Sequence, residues 1–282
     1  MIQKLLSLDR RWIFLIIAVV VFVPTILKIS VPVSTISNST QQLYDTIEEF
    51  EPGKVVMISL DYGPSSMAEL QPQLTALLHH CFAKDLRVIG INWLIFDSVL
   101  LGQNEFDRVA RLHGKTYGTD YCYLGYKPGG LPNLLTMAED ISSVYPKDVH
   151  NKSLTDIPMM KAIKNYDHIS LVVDLASVGS PPVWINYVYG RFQQTLALGV
   201  TGVMISELYP ALDAGQIVGI LPGLLGAAEY EYLIQDANYT TEGGDGATGM
   251  GIQSFLHVAL ILIIVFSNIA FFIDRRNRSN IA

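Results

Sequence analysis

Cysteine is nearly missing from this sequence: two in 282 residues, Cys81 and Cys122. Two thiols cannot fill a four-cysteine zinc site or staple a disulfide-dense domain, and no CxxC pair is present. Charge is thin too, at 16% Asp, Glu, Lys and Arg together. Positive charge is scarcest in the middle, where residues 30–250 carry 12 Lys and Arg against 24 Asp and Glu. A region of that sign repels phosphate backbones and anionic head groups, which argues against nucleic-acid binding. No GxSxG, HExxH or phosphate-binding loop occurs, so the usual signatures of nucleophilic, zinc-hydrolytic and nucleotide chemistry are all missing. Internal repeats and low-complexity segments are absent as well.

What the sequence does have is two uncharged apolar runs, Trp12–Leu27 and Ile252–Ile273, bracketing a far more polar stretch. A helix rising 1.5 Å per residue needs about 20 apolar residues to cross a hydrocarbon core about 30 Å thick. The second run meets that length and the first only just does. Lys4, Arg10 and Arg11 precede the first run, and Arg275, Arg276 and Arg278 follow the second. Basic residues stay cytoplasmic, so both termini are expected inside and the middle outside, with Lys28 snorkelling to the interface. No Ala-x-Ala-like cleavage site follows the first run, which favours an uncleaved anchor over a signal peptide.

The expected organisation is a cytoplasmic tail over 1–11, a transmembrane helix over 12–29 and a polar linker and entry segment over 30–50. An extracytoplasmic domain follows over 51–236, then a glycine-rich hinge over 237–251, a second transmembrane helix over 252–273 and a short tail over 274–282. Such short tails hold no folded output domain. The protein is therefore expected at the cell membrane, acting outside it or sideways on other membrane subunits or on copies of itself.

Within 51–236, short apolar runs alternate with helical patterns. Lys54–Asp61, Arg87–Phe96, Asp120–Tyr126, His168–Asp174 and Val200–Glu207 read as strands, rich in Val and Ile and apolar on both faces. Helices are expected from Ser65 or Ser66 to about Lys84, over Asn104–His113, Leu131–Val144 and Ile157–Asn165, and around Val183–Leu198. Strands apolar on both faces, alternating with helices, predict a three-layer α/β domain with a mostly parallel sheet of about five strands. Cys81 falls in a helix and Cys122 in a strand, so two buried free thiols are expected.

Four of these strands end on an acid: Asp61, Asp97, Asp174 and Glu207. In a parallel α/β sheet all carboxyl ends share one edge, where ligands bind. The acids, with Asn92, Ser177, Ser180 and Lys127 nearby, form a candidate ligand rim. Asp61, Asp97 and Asp174 make a candidate set for a divalent cation, which such carboxylates attract. Crowded carboxylates also acquire raised pKa values suited to acid–base chemistry. Against this, Asp is common at strand-to-helix turns simply because it caps backbone N–H groups.

Other patterns carry less. Gly244–Gly249 matches GxGxxG by letter but follows no strand, and Asp236–Glu242 lacks the glycine and final Glu of a calcium loop. Ser65-Ser66 reads as an N-cap more readily than as an anion site. Asn38, Asn151 and Asn238 head glycosylation sequons. Gly215, Gly219, Gly223 and Ala227 recur every fourth residue and predict a helix face for close packing. Two functions remain open: a ligand-binding or scaffold subunit of a membrane assembly, or a membrane-anchored, carboxylate-dependent hydrolase or transferase acting on a glycan or lipid-linked substrate.

Overall fold

A computed structural model describes residues 9–27, 29–30 and 32–279. Lys4 and Lys28, with the side chains of Arg10, Arg275, Arg276 and Arg278, lie outside the described residues. The chain divides into two units, residues 33–246 and the two flanking apolar segments.

The first unit is built on six parallel strands in the order β3-β2-β1-β4-β5-β6. They are β1 (Val55–Asp61), β2 (Arg87–Asn92), β3 (Tyr121–Tyr126), β4 (Leu171–Ala176), β5 (Leu196–Val200) and β6 (Ile220–Pro222). This is the doubly wound order, in which the chain builds outward from β1 to one edge, then returns beside β1 and builds the other way. The register places Ser59 opposite Asp174 and Asp61 opposite Ala176. Side chains alternate between faces along each strand, so Ser59, Asp61 and Asp174 share one face.

Both faces are covered, which is why every strand reads as a continuous apolar run. On one face lie α2 (Asn38–Glu48), α3 (Met67–Ala83), α4 (Val99–Leu112) and α9 (Gly223–Asp236). They bury Leu43, Leu74, Phe106 and Tyr230 against Ile58, Leu60 and Val173. The other face carries α5 (Leu131–Met137), α6 (Ile141–Val144), a helical segment α7 over 181–192 and α8 (Ile205–Asp213). There Leu134, Ile141, Trp184 and Leu208 pack on Met57, Ile91 and Val172. Cys81 belongs to the first core and Cys122 to the second, so the sheet separates two free, buried thiols. Burial pushes the Cys81 thiol up to about 12, well outside the reactive range.

Several expectations require correction. The sheet has six strands rather than about five, and the segment expected as the fifth, Val200–Glu207, is a turn and a helix start, while β5 lies at the end of the stretch read as a helix. β6 was hidden because it is three residues long and ends on a proline, which an edge strand tolerates. Gly215, Gly219, Gly223 and Ala227 do not share a helix face: Gly215 ends a turn at φ +68°, Gly219 precedes β6, and Gly223 opens α9 at φ +52°. The polar segment 35–42, read as linker, enters α2, whose Leu43 and Ile47 are spaced one turn apart and buried.

Glu229 of α9 caps the start of α2. It accepts hydrogen bonds from Ser37 N at 3.0 Å, Ser37 Oγ at 2.5 Å and Thr40 Oγ1 at 2.6 Å. Two residues on, Glu231 accepts from Gly246 N at 2.8 Å. Glu229 thus holds the start of α2, where orphan N–H groups and the dipole favour an anion, and Glu231 holds the last residue of the folded unit.

In the second unit, α1 (Arg10–Leu27) contains an apolar stretch of 17 residues, Arg11–Leu27. The other helix, α10 (Asp245–Ser279), is long and apolar enough over Asp245–Ile273 to cross a membrane, whereas α1 is shorter. α10 begins inside the glycine-rich stretch read as a hinge, so residues 245–251 are its first turns.

Candidate functional site

β1 and β4 are neighbours in space but the chain winds away from them in opposite directions, so their carboxyl ends flank the crevice typical of ligand binding in this fold. Asp61 is the last residue of β1, and Asp174 lies two residues before the end of β4. Their side chains are 0% and 1% exposed.

The two acids are not equivalent. Asp61 accepts from Ser59 Oγ at 2.6 Å and from Leu94 N at 2.9 Å, and both bonds favour its ionised form. Neither carboxyl oxygen of Asp174 has a partner if Asp174 is ionised. The neighbouring Ser180 hydroxyl, as a side-chain donor, favours its charged form. Burial, then the adjacent Asp61 charge, hold the Asp174 carboxyl well above the usual range. Burial also raises Asp61, against the opposing effect of its donors. Among the described residues, no Lys, Arg or His is among the main influences on either group. Two uncompensated charges this close in a dry interior are prohibitive, so the pair retains a proton. Asp174, the more strongly raised of the two, is the acid held furthest toward its neutral form.

Two tryptophans pack together in the same core. Trp93 precedes Leu94, the donor to Asp61, and its ring meets that of Trp184 edge-on at 6.2 Å. Trp184 lies one helical turn after Ser180, at the start of the π-helical turn Trp184–Tyr189. Both indole N–H groups and the Ser180 hydroxyl are buried without a partner. π-turns inside helices recur at functional sites because they redirect side chains.

The remaining rim residues do not gather. Asp97 lies exposed, five residues past β2, because the strand stops at Asn92 and not at Phe96. Glu207 is exposed in the first turn of α8, since β5 ends at Val200. Lys127 is exposed beyond β3 at the sheet edge. β3 stands three strands from β4, roughly 14 Å away at 4.8 Å per strand. Asn92 faces the opposite core, where Nδ2 donates to Leu60 O at 2.8 Å and Ser98 Oγ at 2.7 Å, while Oδ1 accepts from Tyr123 at 2.5 Å. It ties the β2 end to its neighbours. Ser177 remains near the pair: its backbone N–H donates to Asp61 O at 3.1 Å. With Asp97 elsewhere the proposed cation triad is broken, and among the described residues no three His, Cys, Asp or Glu side chains converge as metal ligands.

Trp93, Ser59 and Trp184 were missed from the sequence. The apolar WLIF run drew Trp93 into a strand, and nothing local marks the two tryptophans as partners. Ser59 was legible in principle, lying two residues before Asp61 and therefore on its face.

The domain is thus a doubly wound parallel α/β fold with a buried acid pair at the crossover. The chain matches no described protein family, and no curated protein is significantly similar to it. Among solved structures, it is similar to the C-terminal domain of a glycosyl transferase group 1 family protein (LpcC) from Francisella tularensis. That match has a TM-score of 0.34 and 13% identity, covering 79% of this chain and 92% of the other. It is also similar to the N-terminal domain of Candida albicans trehalose-6-phosphate phosphatase, with a TM-score of 0.34 and 8% identity, over 81% of this chain but 44% of the other. Superpositions this loose carry no argument about activity.

Proposed function

We propose that this protein is a membrane-anchored, extracytoplasmic binding or scaffold subunit whose ligand site is the β1/β4 crossover. The observation that carries the reading is the Asp61–Asp174 pair, buried side by side at that crossover, where among the described residues no cation is a main influence on it. Groups left in that state mark functional sites more often than structural ones. In this reading both apolar helices span the membrane, both termini are cytoplasmic, and the domain works with other membrane subunits or a second copy. The apolar length of α10 supports the anchor.

Orientation is tested by labelling. Asn151 is exposed in a turn, and both native thiols are buried, so Asn151→Cys supplies the one accessible thiol of the folded domain. A membrane-impermeant maleimide added to intact cells is expected to label it. Labelling only after lysis overturns the orientation and the extracytoplasmic role with it.

A second reading, a carboxylate-dependent hydrolase or transferase on a glycan or lipid-linked substrate, is favoured by one observation. Burial raises both carboxyls, Asp174 further than Asp61, and two acids pushed apart in this way suit general acid–base catalysis. Coverage of both side chains weighs against it, because a reacting group must touch substrate.

A further inference from the structure

The connection between β3 and β4 is long and contains little regular helix. α6 is four residues long, and the short helical turns Leu154–Asp156 and Pro158–Lys161 come after it. A cleft of about 490 Å³ opens among these pieces, within the range of about 300–1,000 Å³ usual for small-molecule sites. Backbone hydrogen bonds hold its walls: Ile141 N donates to Lys164 O at 2.7 Å, Ile157 N to Leu154 O at 3.2 Å and Met160 N to Ile157 O at 3.0 Å. Leu154, Met160 and Ile163, buried in the core of this face, supply its apolar lining.

The charged lining is of both signs. Glu139 and Asp140 bring two carboxylates, Lys161 and Lys164 two ammonium groups. Asp140 is fixed in place, because its carboxylate accepts from Ser142 N at 2.9 Å, Ser142 Oγ at 2.7 Å and Ser143 Oγ at 3.0 Å. Those bonds, and last the Lys164 charge, hold it below the usual carboxylate range. Glu139, Lys161 and Lys164 are exposed. Among the described residues none of the four makes an ion pair. Opposite charges gathered in one cleft and left unpaired are open to a ligand from solvent.

The balance of the lining selects the ligand. Two carboxylates oppose a simple anion, and two lysines oppose a simple cation. A neutral apolar molecule would strip water from four charges and offer them no partner. A molecule carrying both an ammonium and a carboxylate meets both signs without net charge, and an apolar body covers Leu154, Met160 and Ile163. We infer that this cleft is a binding site for an apolar amino acid or a short apolar peptide with free ends, its ammonium held by Glu139 and Asp140 and its carboxylate by Lys161 and Lys164. The cleft shares no residue with the β1/β4 crossover, so this site stands or falls apart from the one placed there.

Isothermal titration calorimetry on the full chain in mild detergent tests this. The probes are L-leucine and L-leucyl-L-leucine, each used free, acetylated at the amine, or amidated at the carboxyl end; the two lengths separate amino acid from peptide. Saturable binding is expected with at least one free compound, about tenfold or more tighter than with its two blocked forms, the scale of one lost charged hydrogen bond. The double variant Lys161→Met, Lys164→Met should weaken the free compound by a similar factor and leave the amidated form unchanged. Glu139→Gln should remove the preference for the free compound over the acetylated one. All three substitutions fall on exposed side chains, and an unchanged urea midpoint shows that the variants are folded. No binding of either free compound at millimolar concentration overturns the inference. So does equal binding of a blocked form, or binding that survives intact in both variants.

Discussion

Replacing Asp174 by asparagine tests the shared proton. Asparagine is neutral at every pH and its amide can donate to Asp61, so Asp174→Asn mimics the protonated acid without needing a proton from solution. In the native protein the Asp174 carboxyl is held well above its ordinary value by burial and by Asp61. Unfolded, it titrates near about 3.9. Between those values the folded state binds the extra proton, so stability must fall as pH rises, by about 1.4 kcal/mol per pH unit. Below that window both states are protonated and the contribution is fully present; above it the loss levels off. The variant lacks this slope. Near pH 4 the two proteins should unfold at similar urea concentrations, and toward neutral pH the variant should become the more stable, a gain from deleting a buried acid. Urea unfolding of the full chain in mild detergent, followed by tryptophan emission across the pH range, measures the gap. Infrared spectroscopy supplies an independent check, since the band of a protonated carboxyl should vanish in Asp174→Asn. Parallel stability curves for the two proteins from acid to neutral pH would refute the shared proton.

Other outcomes follow from contacts elsewhere. His80 is buried, with its Nδ1 2.7 Å from the Tyr230 hydroxyl and its Nε2 2.9 Å from Glu48, and desolvation lowers its pKa to about 4. Because the folded value lies below the unfolded one, about 6.5, stability should fall by up to about 3 kcal/mol as pH drops through that window. His80→Gln should remove that component of the slope in acid unfolding curves. Glu229→Ala strands three donors at the start of α2 and should cost about 2–4 kcal/mol; hydrogen exchange over residues 38–48 should quicken first. In Gly102→Ala the new methyl would collide with Tyr123 and Leu60, for a loss of about 1–3 kcal/mol or more, whereas Gly63→Ala enters open space and should leave the melting temperature nearly unchanged.

The acid pair also shows why a list of strand-end acids overstates a site. Asp61 and Asp174 do lie on adjoining strands of a parallel sheet, because Val- and Ile-rich runs ending in Asp mark strands that leave the core. Asp97 and Glu207 follow runs just as apolar, WLIF and VMIS, yet those residues form a loop and a helix start. An apolar run states that a segment is buried or close to a buried surface; where the backbone leaves the ladder is fixed by neighbouring strands that the run does not contain.

Local pattern alone was enough for the alternation of buried strands and covering helices, the separation of the two thiols, the acidic balance of the middle region and the apolar length near the C-terminus. Each is carried by the period of apolar residues or by a count of charges. It took the folded chain to establish that β4 returns beside β1, that Ser59 and Asp61 share a face with Asp174, and that Trp93 meets Trp184. Strand order joins residues more than one hundred positions apart through hydrogen bonds whose partners the local pattern leaves open. The same holds for the raised Asp174 carboxyl, whose shift comes from burial and from the Asp61 charge that folding sets beside it.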